Sequence, residues 1–294
     1  MKDDLPATER AAPHTTGLDG LTTAQLVETL VDEQRGAFDA VRARIERIAA
    51  VADEVAKRIA RGGRLHYVGA GSSGRLGALD AAEMPPTFGT QPEIVCAHIA
   101  GGLEALAHAV EGAEDDREAG VAAMCEHVRE PDSVVGISAS GAAPYVAGAL
   151  ERARKLGAYT VALVNSPASP LERIAETTIV LHTGAEAIAG STRLKAGTAQ
   201  KIALNAVSTS VMVRLGKVHG NLMVDVVATN RKLRERAIRL VCTIAGVDEE
   251  RARELLAQSD GSVKVAVVME RRAVDAESAR ALLARHDGIL HPLL

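Results

Sequence analysis

The chain has 294 residues, 47% of them hydrophobic, and a net charge of −4 with both signs interspersed. That length and apolar content suit one large core plus a small appendage, and the charge balance leaves no basic stripe to neutralise nucleic-acid phosphates. Nucleic acid is therefore not an expected partner, and the lack of a long uncharged apolar run argues against a membrane one.

Residues 1–20 are polar, include Pro6 and Pro13, and read as a leader. Thr22-Thr23-Ala24-Gln25 has capping-box spacing and opens an amphipathic stretch to about Arg61, long enough for one or two helices. β-rich segments then recur at 64–68, 93–99, 133–137, 159–164 and 177–182, with helix-like segments between them. This alternation predicts right-handed βαβ units and a parallel sheet, with ligands beyond the carboxyl ends of its strands. A long helical pattern covers 191–215, and from about 230 the sequence is helical to the end. There Asp248, Ser262 and Asp275 occupy cap positions and mark three short helices. The expected fold class is α/β: a parallel sheet with helices on both faces, followed by a small three-helix tail. The expected domains are a leader at 1–20, a main domain at 21–230 and a helical subdomain at 231–294. Cys96, Cys125 and Cys242 are too scattered for a disulfide framework or a metal clip and read as ordinary small core residues in a soluble, cytoplasmic chain.

The most informative segment is 64–89, where a β-rich run ends abruptly in Gly69-Ala70-Gly71-Ser72-Ser73-Gly74. The glycines allow positive φ and close backbone approach, while the serines add hydroxyl donors where a helix begins, which suits a phosphate ester. A second loop, Ser138-Ala139-Ser140-Gly141, repeats that logic at the end of 133–137. Neighbouring strand ends in a parallel sheet can bring two such loops to one phosphate. Neither loop has the Gly-Lys-Ser/Thr ending of a Walker P-loop. Gly69 to Gly74 does match the dinucleotide fingerprint G-x-G-x-x-G, and the acid at Glu93 leaves ribose binding open; the serines favour a phosphosugar. A third group, Ser191, Thr192 and Lys195, opens the helix after Gly190, where Lys195 could offset phosphate charge. Aromatic content is 2% with no Trp, so recognition should rest on phosphate and hydroxyls rather than ring stacking, leaving Tyr67, Phe88, Tyr145, Tyr159 and Phe38 as core candidates.

Residues 69–89, Glu111-Gly112-Ala113-Glu114-Asp115-Asp116, the 190–201 block Gly-Ser-Thr-Arg-Leu-Lys-Ala-Gly-Thr-Ala-Gln-Lys and the 260–269 block together resemble the N-acetylmuramic acid 6-phosphate etherases. These belong to the sugar isomerase (SIS) group and end in a small UBA-like helical tail. The resemblance implies cleavage of the lactyl ether to give N-acetylglucosamine 6-phosphate and D-lactate, a carbon–oxygen lyase step in peptidoglycan recycling. Such chemistry needs an open-chain aldehyde at C1, a base for the C2 proton and an acid for the departing oxygen, but no metal or redox cofactor. Two carboxyl groups suffice when a pocket keeps one protonated and the other ionised.

Glu83 lies a helix length past the first loop, directly before Met84-Pro85-Pro86, which are expected to end that helix. The resemblance makes it the catalytic acid and Glu114 the second carboxylate, the C2 base; on the residues alone, Glu111, Asp115 and Asp116 compete with Glu114. Expected substrate contacts are Ser72, Ser73, Gly74, Ser138, Ser140, Gly141, Ser191 and Lys195, with Glu186 in reserve because SIS isomerases use a carboxylate there on C2. His219 is a loose candidate for ring opening, by analogy with isomerases that borrow a histidine from a neighbouring subunit. The long apolar-faced helices and the habit of SIS domains suggest a homodimer with shared active sites. The alternatives are a phosphosugar-binding regulator, such as glucokinase regulatory protein, and a phosphosugar isomerase.

Overall fold

The computed structural model describes residues 5–226 and 231–294. The chain divides into two units, Met1–Ala82 with Glu93–Ser208, and Glu83–Pro92 with Thr209–Leu294. The first begins with three single 3-10 turns and then α1 (Thr23–Glu33), α2 (Arg35–Arg42) and α3 (Ile45–Ala60). Thr22 caps α1 through a capping box with Gln25, so the predicted start is observed, but the lead-in has three helices rather than one or two.

Five strands follow: β1 (Leu65–Gly69), β2 (Val95–Ile99), β3 (Ser133–Ser138), β4 (Tyr159–Val164) and β5 (Thr177–Val180). All pair in parallel in the order β2-β1-β3-β4-β5, with Leu65 opposite both Val95 and Ser133. Between and after them lie α4 (Gly71–Phe88), α5 (Glu104–Ala107), α6 (Arg117–His127), α7 (Pro144–Lys155), α8 (Pro170–Ile174) and α9 (Lys195–Arg214). The sheet is apolar on both faces because helices cover both. On one, Val68, Val134, Ala162 and Val164 join Met124, Val146, Leu150 and Leu171 in a single buried cluster. On the other, α4 approaches so closely that a Cβ on Gly77 would lie 2.9 Å from Tyr67 Cβ and 3.2 Å from Ile137 Cδ1. Buried Asp80, one turn further along α4, accepts hydrogen bonds from the Tyr67 hydroxyl at 2.8 Å, from Ser208 Oγ at 3.0 Å and from Asn205. Burial, then the Asp80 charge, push the Tyr67 phenol well above its ordinary value, so it remains a donor.

Three expectations about particular residues change. Pro85 and Pro86 lie inside α4 instead of ending it; the helix runs one further turn, buries Phe88 and stops at Gly89 with φ 62°. Prolines there sacrifice two intrahelical bonds, and the left-handed glycine is the actual terminator. Phe38 is 57% exposed on α2, whereas Tyr67, Phe88, Tyr145 and Tyr159 are buried. Cys125 is likewise exposed.

At the β1–β2 side, three imidazoles stack: His66 on His98, and His98 on His127. Asp132 can only accept, so His66 Nε2 donates to it at 3.3 Å, leaving His66 Nδ1 to accept from His98 Nε2 at 3.0 Å. Burial chiefly, then neighbouring positive charge, hold His98 down to about 3, and burial lowers His66 as well. The unfolded chain protonates these rings near pH 6.5 while the folded chain resists, so their contribution is intact above that pH and lost below it. His98 alone forfeits about 1.4 kcal/mol per pH unit below 6.5. The melting temperature should fall by several degrees between pH 7 and pH 5, and less steeply in His98→Asn. A melting temperature constant over that range would contradict this account.

The second unit carries a two-strand hairpin, β6 (Val218–His219) and β7 (Leu222–Met223), then α10 (Arg231–Val241), α11 (Glu249–Gln258), α12 (Val263–Arg272) and α13 (Ala276–Arg285). Asp248, Ser262 and Asp275 accept from the third residue on and cap α11, α12 and α13, as their positions predict. α12 is central: Val263 to Met269 are all buried, and Lys264 pairs with Asp225 at 2.9 Å. A fourth helix, α10, precedes the expected three. Among the described residues no helix is long and apolar enough to cross a membrane.

Candidate functional site

Chain connections leave β1 towards β2 on one side and reach β3 on the other, so a crevice opens beyond the carboxyl ends of β1 and β3. A cavity of about 430 Å³ lies there, and both serine loops line it.

The first loop is tight because glycine permits it. A Cβ on Gly69 would lie 2.7 Å from Gly74 N, and one on Gly74 would lie 2.6 Å from Ile99 Cγ1. α4 starts at once at Gly71, so Ser72 and Ser73 occupy its first turn, whose amides lack helical partners. Both serines line the cavity; Ser73 is only 8% exposed and its hydroxyl donates to Gln200 Oε1 at 2.9 Å. In the second loop Ser138 Oγ accepts from Gly141 N at 3.1 Å and Ser140 Oγ accepts from Ala142 N at 3.3 Å, with the two hydroxyls 3.5 Å apart. Gly141 has φ 70° and a Cβ there would collide with Ser169, so the turn requires glycine. Pro144 then opens α7.

Glu114 sits in a 3-10 turn, Ala113–Asp115, after Gly112 at φ 72°. It and Asp115 line the cavity at an exposed position. Of the carboxylates that compete on sequence, Asp116 instead caps α6 through Ala119 N, and Glu111 is not among the lining residues. Arg75 steadies the approach to this turn by donating to the carbonyls of Ala105, Leu106 and His108.

Glu9 also lines the cavity and escaped sequence reading. The leader that carries it is fastened down: Thr8 is fully buried against Ser166, its carbonyl accepts from Gly190 N, and Thr15 donates to Ala187 O at 2.9 Å. No local pattern signals these long-range bonds. Gly190 and Thr192 complete that wall.

Other nominated residues are positioned elsewhere. Glu83 is exposed on α4, twelve residues past its first, and does not line the cavity. Glu186 is fully buried and accepts from the amides of Lys195 and Ala196 at the start of α9; burial raises its carboxyl above the usual range despite those bonds. Lys195 turns to α1, with Nζ 2.9 Å from Glu33 Oε2, so its charge is already matched. Ser191 lies beside the cavity wall without lining it, and His219 stacks on His291 in the second unit. Among the described residues the charged liners are thus three carboxylates with no lysine or arginine, and an anion bound there would be held by hydroxyls and backbone amides. The second unit has its own cavity of about 780 Å³, lined by none of the nominated residues. Among the described residues no group of three or more His, Cys, Asp or Glu side chains is arranged to hold a metal ion.

Comparison with known proteins matches residues 47–154 to the family model of the glucokinase regulatory protein N-terminal SIS domain. An N-acetylmuramic acid 6-phosphate etherase of Symbiobacterium thermophilum is 49% identical over 261 residues, covering 89% of this chain and 87% of that protein. One from Geobacillus thermodenitrificans is 48% identical over 264 residues, covering 90% of each. Among solved structures, a phosphoheptose isomerase from Francisella tularensis superposes with TM-score 0.48 at 16% identity, over 66% of this chain and 98% of that one.

Proposed function

Because the chain belongs to the N-acetylmuramic acid 6-phosphate etherases, we propose that it releases D-lactate from N-acetylmuramic acid 6-phosphate by elimination followed by hydration, as a carbon–oxygen lyase of the cytoplasm. The supporting observation is that two serine loops and Glu114 line one cavity at the strand-order reversal. The loops grip the phosphate through Ser72, Ser138, Ser140 and the first-turn amides of α4, which carries the positive end of a helix dipole. With C1 as the aldehyde, Glu114 removes the C2 proton and the C3–oxygen bond breaks as an acid protonates the departing lactate. Water then adds to C3 of the enal, the acid's conjugate base takes the proton of that water, and Glu114 returns a proton to C2. Glu83 is the proposed acid on the family resemblance alone, since it does not line the cavity, and Asp115, which lines it beside Glu114, is its rival. The two groups exchange roles between half-reactions.

Turnover in deuterated, oxygen-18-labelled water tests the reaction class. Deuterium at C2 and oxygen-18 on the sugar C3 hydroxyl, with unlabelled lactate, are expected. Label in lactate with hydrogen retained at C2 would mean direct hydrolysis at the lactyl carbon, and C2 exchange without lactate release would mean an isomerase.

The reading includes a homodimer. α1 buries none of its residues, and Val27, Val31 and Phe38 are 53%, 63% and 57% exposed on α1 and α2, an apolar face suited to a second copy. Sedimentation at micromolar concentration should give the dimer mass; a monomer would contradict it.

A further inference from the structure

Behind the first serine loop, a chain of buried amides joins Ser73 to Gln200 and Asn165. Gln200 is 1% exposed and its Nε2 donates to Asn165 Oδ1 at 2.9 Å. Asn165 is fully buried at the end of β4, and its Nδ2 donates to Leu181 O at 3.1 Å. The same residue's backbone N–H donates to Ala139 O at 3.1 Å, in the middle of the second serine loop. Asn165 and Gln200 therefore brace both loops: one directly through Ala139, the other through the Ser73 hydroxyl.

The direction of every bond is fixed by its last acceptor. Leu181 O can only accept, so Asn165 must turn its NH₂ there and its Oδ1 to Gln200. Gln200 must then face Asn165 with Nε2 and Ser73 with Oε1. No side-chain flip satisfies all three contacts, and a buried amide left with a mismatched partner is costly. Such a chain holds the loop at one height and one rotation, which matters because the anion is gripped by amides and hydroxyls whose directions must converge.

We infer that Gln200 and Asn165 are positioning residues of the phosphate cradle, which set the first-turn donors at Ser72 and Ser73 against the Ser138–Ser140 loop without touching the substrate. This rests on the reading that the two loops hold the phosphate.

Gln200→Glu provides the test, because a protonated carboxyl reproduces the amide's pattern: its O–H donates to Asn165 Oδ1 and its other oxygen accepts from Ser73. An ionised one sets two acceptors face to face and puts a negative charge behind a phosphate dianion. KM for N-acetylmuramic acid 6-phosphate in this variant should be raised at least about tenfold at pH 8 and return to within about threefold of wild type at pH 5.5, with kcat changed less than about threefold throughout. Asn165→Asp, which regains its donor to Leu181 O only on protonation, is the second variant and should show the same acid rescue. KM at the wild-type value at pH 8, or raised equally at every pH, would overturn the inference. Competitive inhibition by inorganic phosphate in Ser138→Ala separates the two readings. A weakened inhibition constant there with normal KM in Gln200→Glu sinks only the brace, whereas an unchanged constant in Ser138→Ala removes the cradle itself.

Discussion

Glu114→Gln should release D-lactate about 10²–10⁴-fold more slowly than wild type while still binding phosphosugar, because a positioned general base contributes that much and an amide keeps the shape without accepting the C2 proton. Its position explains the specificity of the effect. The Ala113–Asp115 turn brings Glu114 to the cavity, left-handed Gly112 starts that turn, and Arg75 holds the preceding segment by three carbonyls. Phosphosugar affinity should stay near normal, since the serine loops proposed to grip the phosphate belong to other elements. The companion variants rank the second carboxylate: Glu83→Gln should cost a comparable factor, and Asp115→Asn much less. Lactate release measured in a coupled assay, beside binding of N-acetylglucosamine 6-phosphate by calorimetry, checks all three. If Asp115→Asn is the inactive one and Glu83→Gln is normal, Asp115 is the acid and the assignment of Glu83 is withdrawn.

N-Acetylmuramic acid without its phosphate should be turned over with kcat/KM lower by about 10³-fold or more. Three hydrogen bonds to a charged group, each about 1.5–3 kcal/mol, sum to at least about 4.5 kcal/mol and account for that factor or a larger one. Among the described residues the liners are serines, Thr192, glycines, apolar residues and three carboxylates, with no aromatic ring to stack on a neutral sugar. Without the phosphate no anchor fixes C2 and C3 against the carboxylates even at saturation, so kcat should fall as well as affinity, whereas a loosened cradle still seats the phosphate once substrate is bound. Comparable turnover of the two sugars would show that the loops do not hold phosphate.

What was legible in the sequence was local. Tyr159 to Val164 reads as a strand because six consecutive residues are buried on both faces, and Asp248, Ser262 and Asp275 read as caps because capping needs only a side chain and the amide three residues on. The two serine loops were legible for the same reason, since positive φ and tight packing demand glycine at specific positions. What the sequence hid depends on residues far apart. Lys195 looks available for phosphate until Glu33, 162 residues earlier, is found beside it. Glu9 looks like part of a loose leader until Thr8 and Thr15 are seen bonded across the chain. Two of the breaks between the units are hidden as well, because 82/83 lies within α4 and 208/209 within α9, each a continuous helix.

The decisive measurement is a crystal structure of Glu114→Gln with N-acetylmuramic acid 6-phosphate bound. It should show the phosphate between the first turn of α4 and the Ser138–Ser140 loop, with C2 of the sugar facing residue 114. A phosphosugar seated in the 780 Å³ cavity of the second unit, with both serine loops vacant, would contradict the account.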